Sequence, residues 1–446
     1  MKRAAYPKYQ SSGVEYLGDV PAHWEVVRLK NLCARSALYG ANVATSHYAD
    51  AGVRYIRTTD ITDDGVLKKG GVFLPDELVC DYLLDDGDIL LSRSGTVGRS
   101  FLYNSKLHGL CAYAGYLVRF VPSSQALPQY LFQFTKTQSF SVFLRTMAIS
   151  STIDNVNAEK YANVFLPLPP LPEQAAITDF LNRETGKTDA LVEKKHALIA
   201  RLKEKRGALI SRAVTQGLAP GAPMKDSGME YLGEVPAHWE VRRLKTVSHI
   251  QASSIDRKTR ENETTVRFLG TDTVYETERI TKNTSLESAS ATDADIQRFA
   301  LRRGDVIVTK DSVVPTRIAI PAIVTENLSD ISVCGYHMVL LRPIQDLLIP
   351  EYLFRVLSTP NLSGHFLSLS RGTTIIGLGQ GALGGALLPL PPLSEQTAIT
   401  DFLNRETEKI DALIAKVEET IERLKEHRSA LITAAVTGRI DVRAAK

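Results

Sequence analysis

Cysteine is scarce in this chain: four in 446 residues, at Cys33, Cys80, Cys111 and Cys334, with no C-x-x-C pair and no histidine at metal spacing. A disulfide framework or structural zinc site is therefore not expected, and the four read as isolated thiols of a reducing compartment. Long apolar runs are missing as well. Nowhere do about 18 apolar residues follow one another, so no transmembrane helix is expected. The N-terminal MKRAAYPKYQSS is basic but lacks the apolar stretch of a secretory signal. Charge of one sign is nearly absent too, with 53 Lys and Arg against 50 Asp and Glu and a net charge of +3. Any nucleic acid must then be met by positive charge placed locally. With 29 Gly and 20 Pro the chain is not collagen-like, and 44% hydrophobic residues suit an ordinary globular protein. Length alone suggests about three domains with sizeable cores. The expectation is a soluble, cytoplasmic protein without a membrane partner.

Catalytic signatures are missing in the same way. The single G-x-G-x-x-G string, Gly379-Gln380-Gly381-Ala382-Leu383-Gly384, precedes Leu-Leu-Pro-Leu-Pro-Pro instead of a βαβ helix, and reads as a flexible loop. No G-x-x-x-x-G-K-[ST] occurs. Pro169-Pro170 and Pro391-Pro392 are flanked by leucines, without the Asn or Asp and the aromatic of an amino-methyltransferase. The one Pro-Asp, Pro75-Asp76, lacks the [DE]-x-K of a metal-dependent nuclease, and there is no H-E-x-x-H. His23 and His238 sit beside Trp24 and Trp239 in a repeated PAHWE block and read as framework, with the tryptophans as packing anchors. No constellation for breaking bonds is visible, and no catalytic or metal-binding residue is assigned.

What the chain does contain is itself, twice. Gly13–Lys30 (GVEYLGDVPAHWEVVRLK) matches Gly228–Lys245 (GMEYLGEVPAHWEVRRLK) at 15 of 18 positions, offset by 215. Leu166–Leu191 matches Leu388–Leu413 at 22 of 26 positions, offset by 222. Between these blocks the copies diverge, keeping only landmarks: VRYIRTTD at Val53 against VRFLGTDT at Val266, GDILLSRSGTVGR at Gly87 against GDVIVTKDSVVPTR at Gly304, and PQYLF at Pro128 against PEYLF at Pro350. A shared frame with divergent inserts suits a protein that presents two different readers.

The β-branched runs behind Asp88 and Asp305 follow Gly-Asp turns and read as strands, and short helices are expected around Tyr130 and Tyr352. Each divergent region is thus an α+β domain of about 160 residues. After LPLPPL a long helical pattern begins at Glu173 and at Glu395, with Ser394 as a plausible N-cap, and runs to Gly217 and Gly438. About 43 residues give a rod on the order of 65 Å. In the second copy Leu403, Ile410, Val417, Leu424 and Leu431 recur every seven residues, with Ile414 and Ile421 between them, which is a coiled-coil stripe. The first copy keeps Leu181, Leu202 and Leu209 but is interrupted by Thr188 and Lys195. The expected partner of each helix is the other, antiparallel; packing on its own domain or pairing with a second chain are the alternatives. The expected divisions are a recognition domain at 1–170, a helix at 171–217, a second domain at 218–392, a helix at 393–438 and a tail at 439–446.

The blocks E-Y-L-G-x-V-P-x-H-W-E-x-x-R-L-K, the string GDILLSRSGTVG and the L-P-x-P-P-L-x-E-Q-x-x-I tails, each opening a long helix, together resemble the specificity (S) subunit of type I restriction-modification systems, the HsdS family. The resemblance spans essentially the whole chain. It implies two tandem α+β target-recognition domains, each followed by a long helix, with the helices as an antiparallel coiled coil that fixes a spacer. Each domain would read one half of a bipartite, asymmetric site in double-stranded DNA. The implied partners are two methyltransferase subunits holding S-adenosylmethionine, and restriction/translocase subunits using ATP and Mg; this chain itself would hold no cofactor, in a prokaryotic cytoplasm. A coiled-coil scaffold without DNA readout and an autonomous DNA enzyme are the competing readings.

Base readers are expected to be polar side chains on loops near glycine. In the first copy these are Ser92, Arg93, Ser94, Thr96 and Arg99, and in the second Thr309, Lys310, Asp311, Ser312 and Arg317. Here Asp311 and Pro315 replace the small residues of the family's pattern, which fits a different half-site. A second set precedes the proline block: Ser150, Ser151, Thr152 and Asn155, against Arg371, Thr373 and Thr374. The Tyr16/Trp24 and Tyr231/Trp239 blocks, alike in both copies, cannot discriminate sequence and are assigned to the frame or to a methyltransferase dock.

Overall fold

The computed structural model describes residues 4–147 and 155–444. Its chain forms two compact units, 1–195 with 418–446, and 196–417. Each unit therefore combines one mixed α and β domain with the start of the helix that follows it and the end of the other helix.

Both units are built on one plan. In the first, the hairpin Tyr9–Ser11/Asp19–Pro21 leads to strand Glu25–Arg28, which pairs antiparallel with Phe165–Leu168. A four-stranded antiparallel sheet runs in the order Leu38–Tyr39, Leu117–Phe120, Ile89–Ser92, Ser100–Leu102. A three-stranded sheet sets Val53–Ile56 between Val72–Leu74 and Cys111–Tyr113, the latter parallel. The second unit repeats the hairpin as Met224–Asp226/Glu234–Pro236 and the pair as Glu240–Arg243/Leu387–Leu390. Its main sheet has five strands, Ser248–Ala252, Met338–Pro343, Val306–Thr309, Pro321–Val324 and Arg279–Ile280, and its three-stranded sheet is centred on Thr264–Leu269. Each unit mixes strands with short helices, in keeping with the α+β expectation, and the strands behind Asp88 and Asp305 form where the Gly-Asp turns indicated.

The long helices span Leu171–Gln216 and Leu393–Val436. They begin two residues before the expected glutamates. Pro172 sits in the first turn, where a missing N–H costs nothing. The carbonyls of Pro170 and Pro392 accept the first N–H groups, from Glu173 and Glu395 at 2.8 and 2.9 Å, so Ser394 lies inside the helix and is not its cap. Gly217 and Gly438, at φ +74° and +73°, follow the last turns in the left-handed conformation that closes a helix. The glycine string at 379–384 is not a loop: Gln380–Gly385 is a short helix, because Leu383 is drawn into the core of its unit.

The helices pair antiparallel. In the first unit Ile177, Phe180 and Leu181 of the first helix share a core with Leu431, Ile432, Ala435 and Val436 of the second. In the second unit Ile210, Ala213 and Val214 meet Ile399 and Leu403. Start meets end in both cases. Each pairing is clamped by one arginine. Arg428 reaches Asp189 of the opposite helix at 2.9 Å and Asp64 of the preceding domain at 3.6 Å. Arg206 does the same with Asp411 at 3.0 Å and Glu278 at 2.7 Å.

The repeated blocks are the frame. Trp24 and Trp239 are fully buried, so neither can itself present a docking surface. Glu173 takes His23 at 2.9 Å and the Tyr6 hydroxyl, while Glu395 takes His238 at 2.7 Å and the Trp239 indole N–H at 2.9 Å. The neighbouring glutamines are buried: Gln174 donates to Pro169 O, and Gln396 to Pro391 O, each at 2.9 Å. Tyr16 and Tyr231 use their hydroxyls in place of a further strand, each bridging the N–H and carbonyl of Phe165 or Leu387.

Candidate nucleic-acid interface

Strand Ile89–Ser92 delivers the chain into the loop Arg93–Arg99, and the loop is closed from within. Ser92 is fully buried; its hydroxyl donates to the Thr96 carbonyl, and its own carbonyl accepts from the Tyr161 hydroxyl at 2.7 Å. Burial pushes the Tyr161 phenol well up, which keeps that proton in place. Gly98 has φ +85°, and a Cβ there would come within 2.2 Å of Leu144, so only glycine fits. Ser92 is thus corrected from candidate reader to loop lock. The remaining members face outward to different degrees. Thr96 is exposed. Arg93 lies over the Tyr39 ring at 4.8 Å, with its Nε buried and without a hydrogen-bond partner. Arg99 is engaged by Asp63 at 2.6 Å. An opposed acid on a half-open surface adds little stability and is readily exchanged for phosphate.

The second copy repeats the lock with other atoms. Thr309 is fully buried, donates to the Arg317 carbonyl at 2.9 Å and accepts from Ile320 N–H at 3.0 Å, so it too is withdrawn as a reader. Ser312 is buried and accepts the Val314 N–H at 3.0 Å, holding the turn. Lys310 donates to Asp311, whose carboxylate also meets His337 at 3.1 Å. Arg317 is exposed above the Tyr275 ring at 4.7 Å.

The two candidate sets, separate in sequence, come together in each copy. Ser94 forms a β-bridge with Asn155. Asp311–Ser312 pairs antiparallel with Ile376–Gly377, and the backbone of Arg371 closes on Gly377 at 2.8 and 3.0 Å. Arg371, Thr373 and Thr374 are exposed on that closure. Ser150, Ser151 and Thr152 lie outside the described residues.

A further feature, without a motif of its own in the sequence, lies beside each loop. A cleft of about 490 Å³ opens among Asn42, Arg57, Thr58 and Tyr116, and another of about 470 Å³ among Arg257, Lys258, Tyr336 and His337. The loop touches its cleft directly: Arg93 N–H donates to Tyr116 O at 3.0 Å, and Lys310 N–H to His337 O at 2.8 Å. A Gly-Tyr dipeptide at 115 and at 335 was the available signal. Tyr116 is 63% exposed and Tyr336 41%, so both rings are open to a ligand in the cleft. Among the described residues no cluster of His, Cys, Asp or Glu could hold a metal ion, and no helix is long and apolar enough to cross a membrane. The arrangement offers hydrogen-bonding and cationic side chains on fixed loops.

A family model described as type I restriction modification DNA specificity domain matches residues 21–201 and 236–423. Among curated proteins, the chain is similar to the type I restriction enzyme MjaVIII specificity subunit of Methanocaldococcus jannaschii, 22% identical over 438 residues, which cover 95% of this chain and 94% of that protein. It is similar also to the type I restriction enzyme EcoKI specificity subunit of Escherichia coli K12, 20% identical over 451 residues, covering 95% and 90%. Among solved structures, a chain from a study of complex assembly and conformational transition of the type I R-M system superposes with a TM-score of 0.66 at 17% identity, covering 94% of this chain and 98% of that one. That likeness shows a shared fold.

Proposed function

The chain belongs to the type I restriction-modification DNA specificity family, and from that premise we propose that its two recognition domains read the two different halves of one bipartite, asymmetric site in double-stranded DNA. The observation that carries this reading is one locked loop built twice with different outward side chains: Arg93, Ser94 and Thr96 on one, Lys310, Asp311 and Arg317 on the other. Phosphate contacts position a protein, whereas contacts to base edges select the sequence. Two unlike readers suit an asymmetric site, because two identical ones would imply a palindrome.

On this reading the chain breaks no bond. Adenine methylation belongs to two methyltransferase subunits that hold S-adenosylmethionine, and cleavage to restriction/translocase subunits that use ATP and Mg. The antiparallel helices, 46 and 44 residues long, act as the ruler that fixes the spacer between half-sites; at 1.5 Å per residue they are rods of roughly 69 and 66 Å. The small net charge of +3 fits a reader whose partners supply most phosphate contacts. The test is a map of methylated adenines in cells that express the chain together with the methyltransferase subunits of its own system. The expected motif has two different halves around a fixed unread spacer; a palindrome, or no motif, overturns the reading.

A further inference from the structure

We propose that base discrimination in each recognition domain is made in the two clefts beside the locked loops, by a common backbone frame whose lining has been exchanged between the copies. The proposal deepens the reading above and rests on it. Hydrogen bonds inside each unit fix which positions correspond. Leu117 N–H donates to Ala114 O at 2.8 Å, and Met338 N–H to Gly335 O at 3.1 Å. Ala114 N–H meets Ile56 O at 2.9 Å, and Gly335 N–H meets Leu269 O at 3.0 Å. Gly115 N–H meets Ala41 O at 2.7 Å, and Tyr336 N–H meets Ile255 O at 2.8 Å. The strand registers agree, with Leu117 opposite Ser92 and Met338 opposite Thr309.

This correspondence differs from the one the letters suggest. Tyr116 is matched by His337, not by Tyr336, and Tyr336 takes the place of Gly115. Arg57, next to Ile56, is matched by Gly270. Val43 and Ala44 are matched by Arg257 and Lys258. The cation therefore comes from the segment after Ile56 in the first cleft and from the segment after Ile255 in the second, where the Arg257 guanidinium reaches across to the Gly270 backbone, and the exposed tyrosine has moved by one position. The backbone bonds are kept while the side chains that line the cleft change, which suits two readers of unlike half-sites.

The side chains suit the edges of base pairs. Arg57 is held in plane by Asp60 at 2.9 and 2.8 Å and lies 5.6 Å over the Tyr48 ring, which orients its fork. Arg257 meets Asp272 and Glu287 only at 3.4 and 3.5 Å, a loose pairing between half-exposed groups that DNA can displace. Arginine and lysine read guanine edges, and histidine, asparagine and tyrosine supply further hydrogen bonds or apolar contact.

The experiment selects a random double-stranded DNA pool with the full chain in complex with its methyltransferase subunits, and reads base frequencies position by position. Variants Tyr116→Ser and Ala44→Lys alter the first cleft, Lys258→Ala and His337→Ala the second. Each pair is expected to change preference by about tenfold or more, in one half of the motif only, and the two pairs in opposite halves. Should Ala44→Lys disturb folding, Tyr116→Ser alone, at a well-exposed side chain, carries the same test. A wild-type complex that selects a bipartite site while every cleft variant selects the identical one overturns the proposal. So does a one-cleft variant that shifts both halves. A wild-type complex that selects no sequence overturns the reading beneath it, and is told apart because it needs no variant.

Discussion

Replacing Tyr130 by phenylalanine removes one oxygen and leaves the rest of the packing untouched, which makes its cost calculable. The Tyr130 hydroxyl is fully buried, 2.8 Å from the carbonyl of Pro167 and 3.1 Å from that of Val436. Pro167 lies in the strand Phe165–Leu168, and Val436 ends the second long helix. One proton thus ties the domain's frame to the last turn of the helix. Phenylalanine fits the same space, so no cavity term arises, but both acceptors are left where water does not reach. The cost of orphaning buried acceptors is about 1–3 kcal/mol, and about 2 kcal/mol is the value expected here. For a unit of this size that lowers the melting midpoint by roughly 4–8 °C. Tyr352→Phe is the internal control. Its hydroxyl reaches Pro389 and Val214 at 3.1 and 3.2 Å, longer bonds whose loss should cost less. Burial holds both phenols far above their ordinary value, so neither difference should vary between pH 6 and 9. Calorimetry of the two variants and wild type, at two pH values, measures all of this. A Tyr130→Phe midpoint within a degree of wild type would refute the reasoning, because water would then be replacing a group that the packing excludes.

Further outcomes follow from other sites. Arg93→Ala should weaken selection at one half-site and Lys310→Ala at the other, each by about 1–3 kcal/mol, and methylation mapping that placed both effects in one half would sink the two-reader assignment. Among the thiols Cys80 is exposed, while burial pushes Cys33 and Cys334 up to about 12 and Cys111 to about 11. Maleimide at neutral pH should therefore modify Cys80 first in the native chain, and mass spectrometry that found Cys334 labelled at the same rate would contradict the packing. Burial lowers Lys136 from 10.5 to about 8. The folded state then binds this proton less tightly than the unfolded one, so the charge opposes folding below pH 8 and the penalty fades as pH rises from 8 toward 10.5. Lys136→Met should stabilise at pH 7, on the order of 1 kcal/mol after allowing for partial exposure, and the gain should shrink by pH 10; denaturant melts at the two pH values decide it.

Much of this architecture could be read from the letters. Near-identical blocks at fixed offsets require one fold built twice, since 22 matching positions in 26 leave no room for a second solution. The proline-leucine run followed by an uninterrupted helical period set the long helices to within two residues, and the Gly-Asp turns located the strands that carry the loops. These are local signals: period, turn residues and missing N–H groups act over a few positions, and the chain displays them in order. The exposure of a polar residue is different. Ser92 and Thr309 look like their neighbours in composition, yet each is turned inward, because the hydrogen bonds that close the loops come from Thr96, Arg317 and Ile320 after the chain has doubled back. The division of each helix between two units, the meeting of Ser94 with Asn155, and the match of Tyr116 with His337 across a misleading Gly-Tyr pair belong to the same class. They depend on strand register and on which surfaces bury each other, over separations that run from four residues between Ser92 and Thr96 to hundreds between the two helices. Sequence determined that there are two readers on one frame; only the tertiary structure decided which side chains each reader shows.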